Sequence, residues 1–227
     1  MIGIMGAMIE EIEPFLKRLS DVKTTQIGRN AYHEGLYGGK RVTLAYSRIG
    51  KVNAAITATA LIERFGADKI LFSGVAGAIG KDLRIGDLIY ATKLVQHDVD
   101  ITAFGHPIGF IPETGDFFET SAELNKIAEE VALAKGVKLG KGVIATGDQF
   151  VADSVKKELI GERFKADAVE MEGASVACAC DAFRVPFFAL RAISDAADMD
   201  AGFNFDAFLA SSAKISADFV LDMVAKL

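Results

Sequence analysis

A chain of 227 residues, 51% hydrophobic and 25% charged, has enough apolar side chains for one sizeable core and is not a disordered chain. Its formal net charge of −6, without a long Lys/Arg run, argues against nucleic acid and other polyanions as partners. With no basic leader and no apolar run of about 18 residues, the expected setting is cytoplasmic and free of membrane contact.

Ile2–Met5 reads as a buried strand, followed by Gly6-Ala7 and a helix from about Met8 to Leu19. At about 100° per residue, Ile9, Ile12, Leu16 and Leu19 share an apolar face. Glu10 lies opposite that face and Glu11 and Glu13 flank it; all three suit the positive end of the helix dipole, and Glu11 is alternatively a functional group. Residues 32–47 read as a hairpin around Gly38-Gly39. A helix from Lys51 is closed by Gly66. The buried strand from Lys69 runs into Gly74, Gly77 and Gly80. That spacing matches neither common nucleotide-binding glycine pattern, but it lets a ligand approach the backbone closely. Asp87–Asp100 reads as one long strand, which makes the His/Asp grouping at 97–100 structural. Residues 102–118 form a loop rich in Phe, Gly and Pro. A helix spans Ser121–Gly136, a strand leads into a loop over Lys141–Val151, and another helix follows near 153–164. Asp167–Phe183 runs from strand into helix, and Pro186–Ser194 is the last strong strand. The C-terminal helix carries Phe208, Ile215, Phe219 and Met223 at helical spacing. Cys178 and Cys180, two apart on a helix, point about 200° apart and read as reduced thiols.

Without linker or repeat, this order argues for one domain over residues 1–227. The expected fold is α/β, a mixed, largely parallel central sheet flanked by helices. Ligands of such sheets bind outside the carboxyl ends of the strands. At those ends stand Glu10 and Glu11, Ser73–Gly77, Gly147–Phe150, Glu170–Gly173, and Ser194-Asp195. Glu172 is either a helix N-terminal acid or an acceptor for paired hydroxyls, and Met171 is either core or the cover of a ribose face. Phe150 either plugs the core or stacks on a flat base. Asp195, directly after an apolar strand, is either a turn cap or a reactive acid. No histidine pair at ligand spacing and no Cys/His cluster occurs, so no metal is expected.

Eight segments in order are "GIMGAMIEEI", "SRIGKVNAA", "FSGVAG", "ITAFG", "TGDQFV", "AVEMEG", "RAISDAAD" and "FDAFL". Together they resemble the bacterial 5′-methylthioadenosine/S-adenosylhomocysteine nucleosidases of the purine nucleoside phosphorylase superfamily, almost from end to end. The resemblance implies a nucleoside phosphorylase-like fold and hydrolysis of the bond between adenine and ribose C1′, with water and a small nucleoside as reactants and no cofactor. It implies Asp195 as general acid to adenine N7, held by Ser194, and Glu11 as the base for water. Glu172 is implied as acceptor of the ribose hydroxyls beside Met171, Phe150 as the residue stacked on adenine, and the Val151 backbone as the contact to the base edge. Ile49, Val75, Gly77 and Phe205 resemble pocket walls. Phe104 and Pro112 resemble residues that reach into a neighbouring subunit, which implies a homodimer. Residues 97–113 resemble the version in epsilonproteobacterial relatives, some of which cleave 6-amino-6-deoxyfutalosine in a menaquinone route.

The chemistry fits: protonating adenine makes it a better leaving group, and burial favours a protonated Asp195. A phosphorylase on the same scaffold needs a phosphate site after strand one, where this chain has acids. A non-catalytic nucleoside-binding module does not need both Glu11 and Asp195. A dinucleotide-binding oxidoreductase fits the glycine spacing poorly.

Overall fold

A computed structural model describes residues 1–198 and 200–227. Among them run β1 (Ile2–Gly6), α1 (Ile9–Leu16), β2 (Ser20–Ile27), β3 (Asn30–Tyr37), β4 (Lys40–Tyr46), α2 (Lys51–Phe65), β5 (Lys69–Ala78) and β6 (Leu88–Gln96). After a short 3-10 turn at Thr102–Phe104 follow β7 (Phe117–Glu119), α3 (Ala122–Lys135), β8 (Leu139–Thr146), α4 (Ser154–Phe164), β9 (Ala166–Glu170), α5 (Gly173–Phe183), β10 (Phe187–Asp195) and α6 (Ala201–Lys226).

The strands form one mixed sheet with helices on its faces. Alternation along the central strands sorts their side chains into two layers. Phe72, Phe187, Ala189 and Ile193 face Ala58 and Leu61 of α2 and Val176 and Cys180 of α5. Leu71, Phe188, Leu190 and Ala192 face Ile12 and Phe15 of α1, Val131 of α3 and Val220 of α6. Helices cover both faces, so β5 and β10 are buried almost throughout.

β1, β4, β5 and β10 run parallel to one another, as do β6, β8 and β9. Beyond the expected sheet, part of it closes on itself. β5 pairs β10, β10 pairs β6, β6 pairs β8, β8 pairs β9, and β9 returns to β5. One edge of β5 changes partner along its length: Lys69–Phe72 pair with β1, whereas Gly77-Ala78 pair with β9. Between them lies a split in the sheet. β1 arrives there parallel to β5 and β9 arrives antiparallel, so their carboxyl ends converge on Ser73–Ala76.

Most expected elements are present, and the differences have local causes. β2 lies outside the expected hairpin; its "SDVKTTQI" is almost wholly exposed and lacks an apolar alternation. α1 ends at Leu16 rather than Leu19, and Ile9, expected on its apolar face, is 48% exposed. β6 stops at Gln96, so His97-Asp98 form a turn and Val99-Asp100 continue as loop instead of prolonging the strand. β7 occupies the end of the expected 102–118 loop. On α6, Phe219 and Met223 are buried as their spacing requires, but Phe208 and Ile215 stay partly open to solvent. The hairpin turn uses Gly38 and Gly39 at φ 54° and 78°, the backbone a two-residue type I′ turn demands. Cys178 and Cys180 stand on α5 as separate thiols.

Candidate active site

The split leaves Ser73–Ala76 of β5 without a strand partner on that edge, and the sequence supplies a carboxylate there. Glu11 sits at the third position of α1 and is 3% exposed. Its Oε2 accepts from the N–H groups of Ala7 (2.6 Å) and Met8 (3.1 Å), the glutamate half of a capping box. Its Oε1 accepts from Val75 N–H at 3.0 Å, on the β5 edge between β1 and β9. Glu11 therefore caps a helix, as helical position alone suggests, and also plugs the split. Gly74 makes room: a Cβ there would lie 2.6 Å from Glu11 Oε1. Burial pushes Glu11 above the ordinary carboxylate range, against the charge of Arg191 and the three backbone donors.

Asp195 closes β10 and is 3% exposed. Ala197 N–H donates to Oδ1 at 2.8 Å and the Ser194 hydroxyl to Oδ2 at 2.9 Å. The turn is tight: Ala197 adopts φ 51°, a left-handed conformation that costs a non-glycine residue about 1–2 kcal/mol. Asp195 is thus a turn cap whose carboxyl also lines a cleft. Gly77 permits this approach, since a Cβ would come within 2.7 Å of Asp195 Oδ1. Burial raises the Asp195 pKa, opposed by the Ala197 and Ser194 hydrogen bonds.

Between these carboxylates lies a cleft of about 480 Å³. Its lining includes Glu11, Ser194, Asp195, Glu172, Met171, Phe150, Val151, Ile49, Val75, Gly77 and Phe205. Phe150 meets the Phe205 ring edge-on, 5.6 Å between centroids, near the mouth. Glu172 precedes α5, and its Oε1 accepts from Gly50 N–H at 2.7 Å. Burial, then the neighbouring Glu170, push Glu172 up to about 8, while the Gly50 N–H bond pulls it back. Phe104 and Pro112 do not line this cleft; both lie on the exposed 101–116 segment, Phe104 81% exposed.

Sequence reasoning named Glu170 only among the strand-end acids and passed over Arg191; the two pair at the cleft, which Glu170 lines. Arg191 Nη2 meets Glu170 Oε2 at 2.6 Å, with the two side chains 2% and 3% exposed. The guanidinium lies over the Phe72 ring at 4.0 Å and donates to the carbonyls of Leu190 and Phe72. Glu170 also accepts from Thr146 Oγ1 and Gly173 N–H, which fixes the start of α5. A signal existed: a charge amid apolar strand residues is tolerated only with a buried partner. "LRAI" and "AVEM" each hold one such charge, of opposite sign.

An α/β sheet split to admit a carboxylate-lined cleft at its strand ends defines a small-molecule site of the kind found in one large enzyme superfamily. Residues 1–225 match the sequence model of the Phosphorylase superfamily, and the chain belongs to it. The aminodeoxyfutalosine nucleosidase of Campylobacter jejuni subsp. jejuni is 54% identical over 226 residues, covering 100% of this chain and 99% of the relative. The 5′-methylthioadenosine/S-adenosylhomocysteine nucleosidase of Actinobacillus succinogenes is 40% identical over 227 residues, covering 100% and 99%. A Helicobacter pylori mutant nucleosidase of the latter kind, solved with 5′-methylthioadenosine in its active site, is 52% identical with a TM-score of 0.98, covering 100% of this chain and 98% of that one.

Proposed function

We propose that this chain hydrolyses the N-glycosidic bond of 5′-substituted adenosines and releases adenine. The substrates proposed are methylthioadenosine, S-adenosylhomocysteine, 5′-deoxyadenosine and 6-amino-6-deoxyfutalosine, the last supported by the 54% identity to a nucleosidase named for it. The observation that carries the reading is the pair of buried carboxylates in one cleft, Asp195 on β10 and Glu11 filling the amide cluster at the split. A phosphorolytic enzyme needs those amides, or a free cation, for phosphate. Here Ala7, Met8 and Val75 donate to Glu11, and Arg191 is tied to Glu170. Water is therefore the nucleophile the site accommodates.

In the proposed reaction Asp195 gives its proton to adenine N7 as the C1′–N9 bond breaks. The ribose gains oxocarbenium character, which the surrounding carboxylates stabilise. Water adds to C1′ and its proton passes to Glu11, which leaves adenine and the free sugar. Ser194 orients Asp195. Glu172 accepts the ribose hydroxyls beside Met171, Phe150 stacks on the base, the Val151 backbone meets the base edge, and Ile49, Val75, Gly77 and Phe205 shape the walls. In phosphate-free buffer the protein is expected to release adenine from methylthioadenosine. Asp195→Asn and Glu11→Gln should each lower kcat at least ~100-fold, the low end for acid–base catalysis. Near-normal turnover in either variant removes that residue from the mechanism.

The exposed Phe104 and Pro112 support a homodimer in which this segment completes the partner's cleft on the 5′ side. Sedimentation should give a dimer, and Phe104→Ala should raise KM for methylthioadenosine at unchanged melting temperature; a fully active monomer contradicts the assignment.

A further inference from the structure

The His/Asp turn after β6, which the proposed chemistry does not use, is wired to the cleft from behind. Asp98 spends both oxygens on other elements: Oδ1 accepts from Lys51 Nζ at 2.6 Å and Oδ2 from Asp148 N–H at 2.9 Å. Asp148 in turn accepts, through Oδ1, the N–H of Lys51 at 2.8 Å. The three residues close a ring that joins the β6 turn, the loop after β8 and the first residue of α2. The Lys51 and Asp98 side chains are only 17% and 14% exposed, so the pair is better shielded than an ordinary surface ion pair.

The ring has a consequence one residue away. Gly50, immediately before Lys51, holds φ 100° and directs its N–H at Glu172 Oε1. A Cβ on Gly50 would lie 3.1 Å from Asp148 Oδ1, so ring and glycine are packed together. Two carboxylates thus meet the amino end of α2, one from the ring and one from the cleft, where the helix dipole favours negative charge. His97 supports the arrangement from below. It is 6% exposed, donates its backbone N–H to Thr146 O at 2.9 Å, and packs so closely under Gly147 that a Cβ there would fall 2.3 Å from its Nε2.

We infer that Asp98 is a positioning residue for Glu172: through Lys51 and Asp148 it sets the Gly50 N–H that orients the carboxyl proposed to grip the ribose. Asparagine cannot replace it. An amide presents its NH2 either to the Lys51 ammonium or to the Asp148 N–H, a donor against a donor. This inference rests on the proposed nucleosidase function.

The test compares methylthioadenosine turnover and melting temperature for wild type, Asp98→Asn, Lys51→Met, Glu172→Gln and the two double variants with Glu172→Gln. Asp98→Asn is expected to raise KM at least ~10-fold with kcat within about threefold, the pattern of lost ground-state binding. Lys51→Met should move KM the same way, and it carries the comparison if Asp98→Asn does not fold. In the Glu172→Gln background either change should lower kcat/KM by less than about twofold, since residues acting through one group are not additive. Multiplicative losses in the double variants, or an unchanged KM in both single variants, overturn the inference. A wild type that releases no adenine overturns the function beneath it instead; an active wild type matched by its variants overturns the positioning role alone.

Discussion

Asp195 and Glu11 are both pushed upward by burial, with opposite consequences for rate. The proposed base acts ionised and the proposed acid protonated, so activity should rise and then fall with pH, with burial displacing both titrations upward. A pH–rate profile checks this: the acidic limb should lie above the ordinary carboxylate range. Arg191 pulls Glu11 downward, so Arg191→Met should move that limb to higher pH. The same substitution strands Glu170, and breaking a buried pair from one side costs about 3–5 kcal/mol, readable in a denaturant titration. Glu170→Gln added to Arg191→Met should recover part of that loss. Periodicity left Glu11 and Asp195 each with two readings, capping or chemistry. The geometry shows why pattern could not choose: each spends oxygens on backbone caps while its carboxyl lines the cleft.

At the scale of elements, β5 decides where the site lies. Its edge passes from β1 to β9, and its small residues let carboxyls from α1 and β10 touch the backbone. Gly77→Ala should therefore displace Asp195 and abolish turnover while the far-ultraviolet circular dichroism stays native; an active alanine variant contradicts this role for the glycine. The central strands and capped helices were legible because their apolar runs and closing glycines are local signals, such as Gly66 and Gly136 in left-handed conformations. β2 was not legible, since a polar edge strand is fixed by its pairing to β3 rather than by its own sequence. The partial closure of the sheet was equally hidden. Whether β9 pairs with β8 alone or with β5 as well depends on contacts far apart in the chain.

Across the whole molecule, burying acids beside a single arginine ties stability to pH. Glu172 rises from an ordinary 4.5 to about 8. Its contribution is fully present below 4.5, declines as pH climbs, and is lost as pH passes through about 8. The melting temperature of Glu172→Gln relative to wild type should accordingly increase between pH 5 and 8 and then level off; a constant offset contradicts a raised Glu172. The cleft residues come from segments spread from Ala7 to Asp206, and the sequence made most of them visible only as acids and aromatics at strand ends. The pairing of Arg191 with Glu170 stayed unseen because each reads as an isolated charge until the fold brings them together.

The central claim is that water, not phosphate, attacks the ribose. Wild-type protein incubated with methylthioadenosine in 18O-labelled water and excess phosphate, followed by mass spectrometry of the sugar, tests it most directly. The account predicts adenine together with free methylthioribose that carries the label at its anomeric hydroxyl; a sugar 1-phosphate as the main product would contradict it.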